Sequence, residues 1–290
     1  MTAGSMEERA VRTSVLRASF HFKDGATRIA DKYHTSPIKI AKSFPLQEQL
    51  GVIVMDASPG LLAGDRYELE WHAQSSSHSY ITTQSYMKVH PSPLTGKPNG
   101  SFISQNFRLE DRAIVEHMPE PVMLYKDARL HSHTNVYLGQ GAVWMQADIL
   151  CPGRTSRKEQ FQYAEFRSSI SVYCGGELIF AQRQRVIPGK QKLQAPGCWD
   201  KMTHMATFCL FTDQLTSAQI VSMKQLAQEL PISEFGTHPV VIGLSETQRY
   251  GLVASAASTA AWPLQAAMRL LWHGARKIVL GKEPIHLLYS

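Results

Sequence analysis

Tyr67-Glu68-Leu69-Glu70-Trp71-His72 alternates apolar and polar side chains without a fault. Successive side chains of a strand point to opposite faces, so Tyr67, Leu69 and Trp71 share a buried face while Glu68, Glu70 and His72 meet water. The same period of two dominates from about residue 15 to 190. Further strands are expected over 15–22, 51–56, 78–84, 101–108, 129–138, 142–150, 161–173 and 177–187, whose interiors are rich in Val, Ile, Tyr, Phe and Thr. Turn signals separate them at Ser58-Pro59-Gly60, Gly96-Lys97-Pro98-Asn99-Gly100, Gly139-Gln140-Gly141 and Gly175-Gly176. The connections are too short for helical crossovers, which predicts consecutive, mostly antiparallel pairing. No fixed-length repeat stands out.

The last third changes period. Thr216-Ser217-Ala218-Gln219 reads as a capping box, with Ile220, Met223, Ala227 and Leu230 following at helical spacing until Pro231. Strands are expected near 239–244 and 248–254. A second helix, about 262–280, carries Pro263 in its first turn and the stripe Leu264, Met268, Leu271, Ala275 and Val279, and stops at Gly281. Trp272 and Ile278 form a flanking apolar line, more than one core-facing stripe requires, so Trp272 is expected at a partner surface, the alternative being that it is simply core.

Composition bounds the function classes. A chain of 290 residues with 43% hydrophobic content buries roughly three-quarters of its unfolded surface. We read a tail over 1–14 and a single domain over 15–290. The opening Met1–Val11 has no apolar core of a secretory signal, and no apolar run approaches the roughly 18 residues of a membrane span. A cytoplasmic protein without membrane contact is expected. Cys151, Cys174, Cys198 and Cys209 form no CxxC pair and suit reduced thiols. A formal charge of +6 favours acidic partners, but the basic residues are dispersed and carry no nucleic-acid-binding signature, so nucleic acid is not an expected partner.

Catalytic motifs are missing. The chain has no GxxxxGK[ST] loop, no strand-to-helix GxGxxG, no GxSxG and no HExxH. His131-Ser132-His133 is the best local metal candidate, because residues i and i+2 share a strand face. It supports a runner-up reading, a β-rich metal-dependent enzyme using His131 and His133. The other reading of the pair is two solvent-facing strand histidines. A cupin would need a glutamate a few residues on, where Thr134-Asn135-Val136-Tyr137-Leu138 stands.

Four segments in order resemble the UreD (UreH) family of urease accessory proteins. Ser58-Pro59-Gly60-Leu61-Leu62-Ala63-Gly64-Asp65-Arg66 is similar to its glycine-rich turn, and Thr82-Thr83-Gln84-Ser85-Tyr86-Met87-Lys88-Val89 to its Thr-Thr-Gln…Lys-Val element. The stretch from Val115 to Ala128 resembles its acidic, proline and aromatic segment, and Gly153-Arg154 with Glu159 and Phe161 its Gly-Arg…Glu-x-Phe element. The chain departs from the family at Ala57–Leu61, at Cys151-Pro152 and in the ending Ile285-His286-Leu287-Leu288-Tyr289.

The resemblance implies a mostly β, many-stranded, two-layer β-helix-like scaffold with two C-terminal helices. It implies a non-enzymatic metallochaperone scaffold that works with UreF and the GTPase UreG on apo-urease and assists nickel insertion. No cofactor is expected to bind tightly, and nickel contact is expected to be transient. Path candidates are Asp65, Glu116, Asp127, His131 and His133; tunnel or interface candidates are Thr82, Thr83, Gln84, Lys88, Arg154, Glu159 and Trp272. Asp65 reads equally as a turn cap or a carboxylate lining a cation passage. The polar strand faces at 82–87 suit a wet channel or a satisfied internal network. Lys88 is expected to pair with Glu116 or Asp127, and Arg154 to serve a protein interface or a structural ion pair. The purified chain should show no GTP hydrolysis of its own; saturable turnover surviving removal of every other protein would contradict this.

Overall fold

The computed structural model describes residues 12–92, 100–230 and 236–285. Most of the expected tail, the turn residues Gly96–Asn99, Pro231 and the ending after Ile285 lie outside the described residues. The strands are β1 (Thr13–Lys23), β2 (Ala26–His34), β3 (Ile38–Leu46), β4 (Gln49–Asp56), β5 (Arg66–Ala73) and β6 (His78–Thr83). They continue with β7 (Met87–Val89), β8 (Ser101–Leu109), β9 (Ile114–His117), β10 (Val122–Leu124), β11 (Arg129–Leu138) and β12 (Val143–Cys151). The last five are β13 (Glu165–Cys174), β14 (Glu177–Val186), β15 (His204–Phe211), β16 (Val240–Glu246) and β17 (Gly251–Ser258), with helices α1 (Ser217–Gln228) and α2 (Ala261–Val279).

Two sheets face one another. Sheet A has the order β14-β13-β11-β8-β5-β1-β2; sheet B runs β16-β17-β15-β12-β9-β6-β4-β3, with β10 and β7 attached beside β12. From β4 to β13 the chain crosses to the opposite sheet with each major strand, and every return lands parallel to the previous strand of that sheet. This corrects the expectation of consecutive antiparallel pairing. A parallel neighbour needs a long connection, and here the connection is a strand of the other layer. Antiparallel pairs remain at the ends, in β1–β2, β3–β4, β13–β14 and among β12, β15, β17 and β16. The many-stranded, two-layer expectation holds, as do both helices.

Leu69, Trp71, Phe107, Val136, Trp144 and Phe211 fill much of the space between the layers. The outer face of sheet B carries a second core, where Met145, Phe208 and Leu252 meet Leu264, Met268, Leu271 and Ala275 of α2. The capping box forms as read: Gln219 N–H donates to the Thr216 hydroxyl and the Gln219 side chain accepts from Thr216 N–H. Among the described residues, no helix is long and apolar enough to cross a membrane.

The turn at Gly60 is fixed by contact with β7. Its φ is +130°, a region that L side chains rarely adopt, and a Cβ there would stand 2.4 Å from the Lys88 carbonyl oxygen. Leu61 N–H donates to that carbonyl at 2.9 Å, and His90 N–H to the Leu61 carbonyl at 2.8 Å. Gly60→Ala should therefore destabilise the fold by about 2–3 kcal/mol through strain and clash. Urea denaturation measures it, and an unchanged midpoint would show that the turn relaxes freely.

Candidate functional site

Alternation along β12 sends Trp144, Gln146, Asp148 and Leu150 between the sheets and Met145, Ala147 and Ile149 toward the helices. Two of these inward groups are polar, and sheet A answers them. Gln105, Thr134 and Gln182 lie along one rung of its ladder, and Ser132, Ser168 and Gln184 along the next. Together they line a cavity of about 110 Å³ between the layers, which also receives His117 and Thr207.

A hydrogen-bonded chain runs through its wall. Gln146 Nε2 donates to Asp148 Oδ2 at 2.5 Å, and His117 Nδ1 lies 2.9 Å from Gln146 Oε1. Since that amide oxygen only accepts, His117 carries its proton on Nδ1 and keeps a lone pair on Nε2. Burial lowers His117 to about 4, against the Gln146 bond. Burial also raises Asp148 to about 6, which the Gln146 bond opposes. At neutral pH the chamber therefore holds a neutral imidazole and a largely ionised carboxylate.

The chamber has a mouth. Thr83, Pro119, Glu120 and Ile149 line both the cavity and a groove of about 690 Å³ beside α2, whose walls include Tyr80, Met118, Gln265, Met268 and Arg269. Thr83 Oγ1 accepts from Glu120 N–H at 2.9 Å, and Gln265 Nε2 donates to Glu120 Oε2 at 2.9 Å. Tyr86 OH donates to Gln265 Oε1 at 3.0 Å, and Thr82 Oγ1 to the Met118 carbonyl at 2.7 Å. Burial raises the Glu120 carboxyl against the opposing effects of Arg269 and Gln265. Thr82, Thr83 and Gln84 thus gather at the groove.

Glu116 sits one residue before His117 and faces the other way, under α2. Fully buried, it accepts from His78 Nε2 at 2.5 Å, from the Trp272 indole N–H and from Arg276. Arg276 also donates to Gln49 Oε1 at 3.0 Å and, through Nε, to the Glu283 carbonyl at 2.9 Å. Burial alone would raise this carboxyl, but the His78 bond and the charges of His78 and Arg276 hold it below the usual range. The expected partner-surface position of Trp272 gives way to the core alternative: it is 3% exposed and stacks on Tyr80 at 5.1 Å. Its indole anchors the helix because a buried N–H needs an acceptor, and Glu116 supplies it.

The other candidates separate from the chamber. Asp65 caps its turn, accepting from Leu62 N–H at 2.9 Å. Lys88 forms no ion pair with Glu116 or Asp127 among the described residues, because Glu116 is enclosed beneath α2. Asp127 occupies a left-handed turn at φ 60°, its N–H donating to the Gln162 carbonyl. Arg154 pairs with Glu159, its Nε 2.7 Å from Oε2, and its guanidinium lies 4.0 Å from the Tyr125 ring centroid. His131 and His133 lie on the outer face of sheet A, His133 Nδ1 2.5 Å from Ser169 Oγ and His131 Nε2 3.6 Å from Glu165. Arg129, Arg167 and Arg185 surround that same carboxylate. This crowd of positive charge corrects the runner-up metal site. Among the described residues no three His, Cys, Asp or Glu side chains converge as a metal-binding group.

Residues missed as site candidates are His117, Glu120, Gln146 and Asp148. Their signal was present: Glu120 and His117 fall in the acidic, proline-rich segment, and Gln146 and Asp148 share strand parity with Trp144.

By sequence the chain is similar to known urease accessory proteins. The family model described as UreD urease accessory protein matches residues 12–287. A urease accessory protein UreD of Acetivibrio thermocellus is 31% identical over 253 residues, 86% of this chain and 91% of that protein. One from Lachnoclostridium phytofermentans is 24% identical over 279 residues, covering 93% of this chain and 98% of that protein. A urease accessory protein UreH of Helicobacter hepaticus is 25% identical over 203 residues, 69% of this chain and 78% of that protein.

Asp148 gives a pH test. A raised carboxyl favours the protonated form in the folded state, so its contribution to stability is present at low pH and lost as pH rises through about 6. At neutral pH the enclosed charge costs on the order of 1–2 kcal/mol. Asp148→Asn should raise Tm at neutral pH, and the gap to wild type should close below pH about 4. Thermal scans across pH read this directly; a variant less stable than wild type at neutral pH refutes it.

Proposed function

The chain belongs to the UreD urease accessory protein family, and we propose that within urease maturation it is a scaffold through which nickel reaches apo-urease. Its relatives are named accessory proteins, not enzymes. UreF and the GTPase UreG are the partners in this reading. The lack of any phosphate loop in this chain suits a division in which the partner hydrolyses GTP. The four free cysteines suit the reducing cytoplasm that the reading assigns.

The observation that carries the proposal is the polar chamber opening at Glu120 onto the groove beside α2. Nickel is the cargo. Imidazole suits it as a ligand, and carboxylates and amide oxygens can replace part of its water shell. An ion entering from the groove meets Glu120 first, then the chamber wall with His117, Gln146 and Asp148. The neutral His117 offers a lone pair without repelling a cation, and Asp148 supplies negative charge. The absence of a converging three-ligand set among the described residues suits brief contact and release.

Glu120→Gln and Asp148→Asn test this in cells that make urease with its accessory proteins. Each should lower nickel per urease active site by about tenfold, the lower end of the losses seen when groups supporting metal ligands are removed. Pull-down of the accessory complex should be unchanged. Metal analysis of purified urease decides the matter, and normal nickel loading with both variants would remove the chamber from the delivery route.

A further inference from the structure

The outer face of sheet A carries a feature that nickel passage does not use. Both helices pack on sheet B, and parallel pairing aligns the outward side chains of sheet A into straight rungs. Arg66, Phe102, His131, Arg167 and Arg185 occupy one rung across five strands. Arg183 stands on the next rung beside Ser169, and Arg129 precedes His131 by two residues on the same face of β11. The rung borders a groove of about 570 Å³.

Its charge is poorly balanced. Glu165, 6% exposed, accepts from Arg167 at 2.5 Å and Arg185 at 2.8 Å, with Arg129 at 3.8 Å. One carboxylate therefore serves three guanidinium groups. Among the described residues Arg183 donates only to neutral groups, the carbonyls of Ile170 and Gln182 and the Ser171 hydroxyl. Arg66 lies over the Phe102 ring at 4.9 Å from its centroid. Glu68 adds a carboxylate on the second rung. Glu165 also holds Arg167 and Arg185 in fixed positions, which reduces the side-chain entropy lost when a ligand arrives.

We infer that this face is a docking site for an acidic, extended segment of a protein partner, its carboxylates engaging Arg66, Arg183 and the Glu165-anchored arginines. Five strands span roughly 19 Å at the usual strand spacing, the length of about six extended residues. Guanidinium is the side chain best suited to bidentate carboxylate recognition, and the chain's charge of +6 adds long-range attraction for such a segment. Only the class of partner, a protein, rests on the scaffold reading; the charge pattern stands without it.

The test is a fluorescence-anisotropy titration of a labelled hexaglutamate peptide against the full chain. Wild type should bind with an affinity that falls as salt rises. Arg66→Gln/Arg183→Gln, which spares every arginine bonded to Glu165, should weaken binding by about tenfold. Should the double variant fail to fold, Arg66→Gln alone should give a smaller loss in the same direction. Lys224→Gln on α1 should bind as wild type does. Absent binding, or equal affinity in the arginine variants, overturns the inference. So does displacement by inorganic phosphate as effective as by unlabelled peptide, or tighter binding of a single-stranded oligonucleotide at the same arginines. A parallel pull-down with apo-urease and the accessory partners keeps the two readings apart: loss of wild-type assembly refutes the scaffold, while the peptide titration alone decides this site.

Discussion

A carboxylate buried beneath the C-terminal helix ties the structure together. Glu116 receives His78, Trp272 and Arg276, and Arg276 reaches onward to Gln49, so one network joins β4, β6, β9 and α2. Isolated buried charge is costly, and removing one member of such a pair typically costs about 3–5 kcal/mol because the other is left uncompensated. The helix is therefore held by a specific electrostatic lock as well as by Leu264, Met268 and Leu271. Met268, Arg269 and Trp272 of that helix line the groove. The groove at the chamber mouth thus exists because Glu116 is satisfied.

Strand alternation then divides the chemistry. Glu116 and its neighbour His117 face opposite sides of sheet B, one locking the helix and the other meeting the chamber. The two environments impose opposite outcomes on their acids. Glu116 is fully paired and held ionised, whereas Asp148 has a single amide donor and is pushed toward protonation. A wholly apolar interior would be the more stable solution between two sheets. The polar rungs of Gln105, Thr134, Ser132 and Ser168 depart from it over the stretch opposite Asp148.

Legibility in the sequence followed the contrast in polarity between a strand's two faces. The strand at 129–138 was read to the residue, and most of the others to within a few, since one face of each is more polar than the other. The β15 segment was missed because His204-Met205-Ala206-Thr207-Phe208-Cys209-Leu210-Phe211 is covered on both faces and shows little period of two. Short β9 was hidden because its Glu and His are buried. Edge strand β2, largely polar, gave no apolar face to read. Parallel pairing was illegible for a topological reason: a strand of the opposite layer looks, in sequence, like a hairpin partner. Trp272 was misplaced because helical spacing shows which residues are apolar, but not that an indole N–H meets a carboxylate from a strand 156 residues away. The family motifs brought Thr82, Thr83 and the 115–128 segment into view, and the geometry supplied Asp148.

The winding also shapes how the chain finds its fold. Ladder partners such as Leu69, Gln105, Thr134 and Ile170 lie one coil apart, so each new coil is laid on a template already made, at a modest loop-closure cost. The exception is α2, whose Arg276 meets Glu116 and Gln49 across separations of 160 and 227 residues. During synthesis Glu116 precedes its partner Arg276 by 160 residues, and the apolar outer face of sheet B stays bare until α2 emerges. Docking of α2 then both neutralises the stranded acid and seals that face.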